Sequence, residues 1–198
     1  MQEANPQSRR QFLSWGLRTA AVAVAIAVAP PFTLAAPQKD WRQVLLDRDR
    51  WLSLERVKTG EKAQFRYYRY GVGFEPEGYK IACHLLRDVE SGGITISMSP
   101  RLLDLLYLIQ GWLRINKLPF HIKIMSGYRT PAYNATLAKA AKKSEHVNGN
   151  AADIRIDGLS VESLDRLAKA IGVGGVGFYP QKKGFVHVDV GRLRNWKG

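Results

Sequence analysis

His146 and Asp153 stand seven residues apart in the stretch Ser144–Ile156, which has the form H-x-x-G-x-A-x-D. An imidazole and a carboxylate that converge are suited to a divalent metal such as zinc. After Gly149 the chain alternates, with Ala152, Ile154 and Ile156 on one side and Ala151, Asp153 and Arg155 on the other. A period of two reads as a strand with one apolar face, so Asp153 points away from that face. His146 lies upstream in a polar loop, and Gly149 lets that loop turn sharply. A catalytic zinc site needs a third protein ligand and one open position. His187, in Gly-Phe-Val-His-Val-Asp-Val, is the third candidate. In that run Phe185, His187 and Asp189 share one face. A loop histidine and a strand aspartate alone describe a surface imidazole and a capping or salt-bridged carboxylate equally well. The later His-x-Asp is what turns the pattern towards a metal.

These groups need elements to hold them. Trp51–Glu55 and Ala63–Tyr70 alternate and read as a hairpin, with Val57–Lys62 as its turn. Residues 36–50 are polar and charged and read as a mobile lead-in. Gly78–Asp88 has helical spacing. Ser99 and Pro100 open a helix as N-cap and first helical residue, and Leu102, Leu103, Leu105, Leu106, Ile109 and Leu113 give it a broad apolar stripe. Phe120–Met125 is the next strand, Ser126–Pro131 a tight loop, and Pro131–Lys143 a helix with a basic end. Ser160 caps a helix over Val161–Ile171. Gly172–Gly175 is a flexible connection before two short strands, Val176–Tyr179 and Phe185–Val190. The Gly-rich segments Gly71–Gly73 and Gly172–Gly177 lack the phosphate-loop pattern and read as turns.

The first 35 residues read as a targeting segment. Ser8-Arg9-Arg10-Gln11-Phe12-Leu13 is a twin-arginine motif, followed by the apolar run Ala20–Ala29 and a small-residue site at Thr33-Leu34-Ala35. The apolar run is about ten residues, short of the roughly 20 that span a bilayer. Cleavage after Ala35 is expected, leaving residues 36–198 as one domain in the periplasm or outside the cell, with no membrane span. That domain keeps 27 basic and 16 acidic side chains, a net charge of +11. Such a charge favours anionic partners, here cell-wall polymers or anionic lipid, and also serves solubility. Export argues against nucleic acid. The single cysteine, Cys83, lies in an apolar run and reads as a core residue, so no disulfide framework is available. His84 and His121 read as structural or surface residues.

With these features the chain resembles the YcbK-like exported proteins. The resemblance rests on the twin-arginine segment, Leu86–Asp88 (Leu-Arg-Asp), Ser126–Arg129 (Ser-Gly-Tyr-Arg), Ser144–Asp153, Gly174–Tyr179 and Phe185–Asp189. That group looks like a branch of the D-Ala-D-Ala zinc metallopeptidase superfamily, which includes phage endolysins and the hedgehog signalling domain. The resemblance implies an α+β fold around a small antiparallel sheet with flanking helices. It implies one zinc held by His146, Asp153 and His187, and hydrolysis of peptide bonds in peptidoglycan by a monomer. Many relatives carry an acidic or histidine base three residues before the second zinc histidine, and here that residue is Gly184. Asp189 is the nearest substitute as proton acceptor. Arg129 is the candidate cation for the developing oxyanion or for a substrate carboxylate, unless it forms a structural ion pair. Tyr128 and Ser144 are candidate substrate contacts, Ser144 being equally readable as a turn hydroxyl. The alternative to a peptidase is a cell-wall binding module that keeps the metal without hydrolysis.

Overall fold

The structure, a computed structural model, describes residues 40–198 except 139, 140, 142, 182 and 183. The expected signal segment 1–35 lies outside the described residues. In chain order the elements are α1 (Trp41–Leu46), β1 (Arg50–Arg56), β2 (Lys62–Arg69), β3 (Gly73–Phe74), α2 (Pro76–Leu85), α3 (Pro100–Ile115), β4 (Ile122–Ser126), α4 (Pro131–Thr136), β5 (Ala151–Arg155), α5 (Val161–Ile171), β6 (Gly175–Tyr179), β7 (Phe185–Asp189) and β8 (Arg194–Lys197).

The strands form one sheet in the order β3-β2-β1-β4-β5-β7-β6-β8. The expectation of a small antiparallel sheet is corrected on both counts. The sheet has eight strands, and β1 pairs with β4 and β6 with β8 in parallel. Parallel neighbours need crossovers, and α2 with α3 supplies one of them between β1 and β4.

Strand alternation sorts the side chains. Leu52, Leu54, Ile122, Ile124, Ala152, Ile154, Val186 and Val188 are buried, and Ile124, Ile154 and Val186 are successive cross-strand partners. Helix α3 packs on this face against β1, and α5 packs against β6 and β7. All six apolar positions expected of α3 are buried. Truncating one of them to Ala costs about 2–5 kcal/mol. The other side of the half from β4 to β8 carries a different row. Ser126, Asp153, His187, Gly177 and Trp196 are successive register partners across β4, β5, β7, β6 and β8. The site is built on this row.

Four local expectations change. Residues 41–46 form a helix, not a mobile lead-in. Asp40 caps it by accepting the Arg42 amide at 3.0 Å, and Leu45 is buried over Gly111, where any Cβ would lie 2.9 Å from Leu45 Cδ1. The Ser99 hydroxyl makes no cap bond, and its N–H donates instead to the Gly149 carbonyl at 2.9 Å. Helix α4 stops at Thr136, where Leu137 turns extended and Asn134 Nδ2 donates forward to the Ala141 carbonyl at 3.1 Å. The expected strand Val176–Tyr179 is present and begins one residue earlier, so Gly175–Gly177 of the Gly-rich segment is strand rather than turn. Cys83 is a buried core residue, as expected.

Candidate metal centre

The loop Ser144–Gly149 and the strands β5 and β7 bring the three expected ligands together. Asp153 and His187 are direct cross-strand partners, so the sheet register itself faces them. His187 Nδ1 lies 3.0 Å from Asp153 Oδ1. His146 Nε2 lies 3.0 Å from His187 Nδ1 and 3.2 Å from Asp153 Oδ1. All three side chains are buried.

Each imidazole is fixed from behind. His146 Nδ1 donates to the Gly127 carbonyl at 2.6 Å, which leaves Nε2 with a lone pair turned inward. His187 Nε2 donates to Asp189 Oδ2 at 3.0 Å, which leaves Nδ1 turned inward. Three acceptors therefore converge on one point, His146 Nε2, Asp153 Oδ1 and His187 Nδ1. A cation reconciles them, and two imidazole nitrogens with one carboxylate oxygen suit zinc. The electrostatics agree. Burial lowers His146 below its ordinary value, with Asp153 opposing. Burial would also lower His187, but hydrogen bonds to Asp153 and Asp189 more than offset it and raise that ring. Burial would raise Asp153, yet His146 and His187 hold it far below the usual carboxylate range.

Asp189, expected as proton acceptor, sits behind His187 and does not line the cleft. Its side chain is fully buried. Oδ1 accepts the Gly175 and Gly191 amides at 2.9 Å each and Arg194 Nη1 at 3.2 Å, and Oδ2 accepts His187 and Arg194 Nη2 at 2.8 Å. Burial opposes its ionisation, but His187 and the Gly175 and Gly191 amides hold it well below the usual carboxylate range. Gly175 is required here, because a Cβ would stand 2.4 Å from Asp189 Oδ2.

Arg129 lines the cleft, donates Nε to Ser126 Oγ at 2.8 Å and pairs through Nη2 with Asp153 Oδ2. Its ion pair is thus with one of the three candidate ligands. The loop that carries it is anchored by Asp88 of the Leu-Arg-Asp segment. Asp88 Oδ2 accepts the Thr130 amide and the Ser91 hydroxyl at 2.7 Å each, and Oδ1 accepts the Glu90 and Ser91 amides at 3.0 and 3.1 Å. Leu86 accepts the Tyr128 amide at 2.7 Å so closely that a Cβ on Gly127 would lie 2.2 Å from the Leu86 carbonyl oxygen. The two motifs are one device that aims the Gly127 carbonyl at His146. Tyr128 belongs to the buried core and does not line the cleft. Ser144 lines it, and its hydroxyl accepts the His146 amide at 3.3 Å, a turn contact. His84 pairs with Glu61 and His121 with Ser53, away from the centre.

The cleft over the candidate metal centre has a volume of about 630 Å³. Leu137, Ala138 and Ala141 line it along with Tyr179, Phe185 and Trp196, and Lys143, Glu145 and Arg194 add charge. Glu145, Arg194 and Trp196 were not singled out in the sequence. Gly184 is closed to any side chain, since a Cβ would meet the Tyr179 carbonyl oxygen at 2.5 Å and that of Gln181 at 2.9 Å.

The family model described as Peptidoglycan L,D-endopeptidase MepK matches residues 46–196. The chain belongs to this family. It is 34% identical over 194 residues to Peptidoglycan L,D-endopeptidase MepK of Escherichia coli strain K12, covering 96% of this chain and 97% of that protein. It is 32% identical over 196 residues to a Probable peptidoglycan L,D-endopeptidase MepK of Haemophilus influenzae, covering 97% of each. Among the described residues no helix is long and apolar enough to cross a membrane.

Proposed function

We propose that this protein is a zinc-dependent endopeptidase that hydrolyses peptide cross-links of peptidoglycan, and that it works as an exported monomer delivered by the twin-arginine route. The observation that carries the reading is the convergence of two oriented imidazoles and one carboxylate at the floor of a cleft, in a chain of the MepK family. The relatives' name indicates a bond between an L and a D centre as the one cut. His146, Asp153 and His187 hold the metal. Bound there, zinc supplies Lewis acidity towards a carbonyl and an acidified water.

The protein's own groups do the rest. Asp189 orients His187 and turns its Nδ1 inward, with the Gly175 and Gly191 amides and Arg194 bracing the carboxylate. This replaces the expected role as proton acceptor, because every face of that carboxylate is engaged. The Gly127 carbonyl does the same for His146. Arg129 places positive charge at the edge of the cleft, beside Asp153, where an amide oxygen gains charge during attack. Among the described residues Glu145 is the one carboxylate lining the cleft outside the ligand set, with Oε2 accepting from Asn150 Nδ2 at 2.9 Å. In this reading it accepts the proton. The test is digestion of purified peptidoglycan with zinc-loaded protein and identification of the fragments by mass. Release of products with a newly freed amine and carboxyl at the cross-link supports the proposal. Zinc-loaded protein that binds peptidoglycan and releases nothing overturns it in favour of a binding module.

A further inference from the structure

The register row that holds the metal ligands continues past them. His187 faces Gly177, and Gly177 faces Trp196 on the outermost strand. Gly177 has no side chain, and the indole lies over the space. A Cβ there would stand 2.6 Å from Trp196 Cε2 and Cζ2. The indole thereby reaches the His187 ring, with centroids 5.1 Å apart. Its one polar atom is satisfied, since Nε1 donates to the Tyr179 hydroxyl at 2.9 Å. Tyr179 in turn stacks on Phe185 at 4.6 Å and 16°. The Arg194 guanidinium lies 5.1 Å from the indole centre. The result is a continuous aromatic wall running outward from a metal ligand, half-buried in the cleft with its donor already spent on a neighbour.

We propose that Trp196 is a substrate-positioning residue, whose indole forms the surface on which the peptide next to the scissile bond lies. This rests on the peptidase reading above. Peptide rather than sugar is the occupant because the cleft has a second, aliphatic side at Leu137, Ala138 and Ala141. Aliphatic side chains beside an aromatic surface in one cleft suit an extended peptide, whereas a sugar stacks on an open platform. A cleft above the proposed ligands also guides a backbone amide to the metal. A flat aromatic face loses little conformational entropy when a flexible chain settles on it.

The test compares zinc-loaded wild type with Trp196→Ala and Trp196→Phe in three measurements: KM and kcat on cross-linked muropeptides, Kd for the released stem peptide by calorimetry, and zinc affinity by chelator competition. The expected result is a rise in KM and Kd of about 10- to 100-fold in Trp196→Ala, with zinc affinity retained. Trp196→Phe recovers most of the loss. If Trp196→Ala does not fold, Trp196→Leu keeps the bulk without the flat face and is expected to show the same weakening. Unaltered Kd and KM in the folded variant overturn the proposal. So does a fall in zinc affinity with unaltered Kd, which makes the indole a buttress of His187 alone. Competition by glycan strands stripped of peptide, with none by the stem peptide, also overturns it. Wild-type protein that neither cuts peptidoglycan nor binds stem peptide would instead refute the peptidase reading itself.

Discussion

The two histidines of the candidate metal centre are oriented by opposite means. His146 rests on a backbone carbonyl of a loop, and that loop also carries Arg129. His187 rests on a buried carboxylate within the sheet, clamped by Arg194 and two amides. A carbonyl fixes the tautomer without adding charge. A carboxylate fixes it and makes the ring a stronger donor to metal. The pKa directions follow the same division, with His146 lowered and His187 raised. Under the proposed ligand assignment the strand side supplies the firmer grip on the metal, and the loop side adds the groups assigned to substrate.

This division can be broken experimentally. The largest effect removes both sides at once: His146→Ala with His187→Ala is expected to abolish zinc binding by elemental analysis and hydrolysis with it. Full zinc stoichiometry in that variant would refute the ligand assignment. On the loop side, Glu145→Gln is expected to lower turnover by about 10²–10⁴-fold with zinc content unaltered. Equal turnover in the two proteins would remove Glu145 from the chemistry. On the strand side, Asp189→Asn is expected to weaken zinc affinity by roughly 10–100-fold. If turnover alone fell, the grip assigned to the strand side would be wrong.

Asp88→Asn tests the loop's anchor and is expected to cost about 1–3 kcal/mol in chemical unfolding of the metal-free protein at neutral pH. Burial opposes ionisation of Asp88, yet the Thr130 and Ser91 donors hold its pKa below the ordinary value. A depressed carboxylate stabilises the fold above the unfolded pKa of about 3.9 and loses that contribution as pH falls through the folded value. The gap between wild type and Asp88→Asn should therefore narrow below about pH 4. A constant gap would deny the charge a role. The smallest effect expected is that of Ser144→Ala, at most about 1 kcal/mol, because its hydroxyl accepts one amide at 3.3 Å. A large loss of turnover in that variant would return Ser144 to the substrate.

What was legible in the sequence was what local periodicity can carry. Alternation at Ala151–Ile156 and Phe185–Asp189 puts Asp153 and His187 on the faces where the structure has them. The stripe of α3 was readable for the same reason. Strand β8 was not. Arg194–Lys197 is short and polar, and it is a strand because it pairs in parallel with Gly175–Phe178, a long-range fact. Arg194 and Trp196 were missed with it, although a tryptophan two residues from an arginine hinted at a stacked pair. The glycines of Gly174–Gly177 looked like flexibility. They are absences of side chain, left for Asp189, Arg194 and Trp196. Asp189 was placed on the correct face, but alternation does not show whether a carboxylate faces solvent or a ring behind it.

The cross-strand pairing of Asp153 with His187 also bears on the order of events during folding. His146 and Asp153 are close in sequence, whereas the contact from Asp153 to His187 spans 34 residues and encloses α5. An unfolded chain can offer a metal only the local pair, which is a weak bidentate site. The third donor arrives when β7 docks on β5, a non-local and hence slow step. A shift of one residue in that docking would turn His187 to the opposite face. Under the proposed ligand assignment tight metal uptake is a readout of correct strand register, and its rate after refolding should track closure of the β4–β8 half of the sheet rather than collapse of the helices.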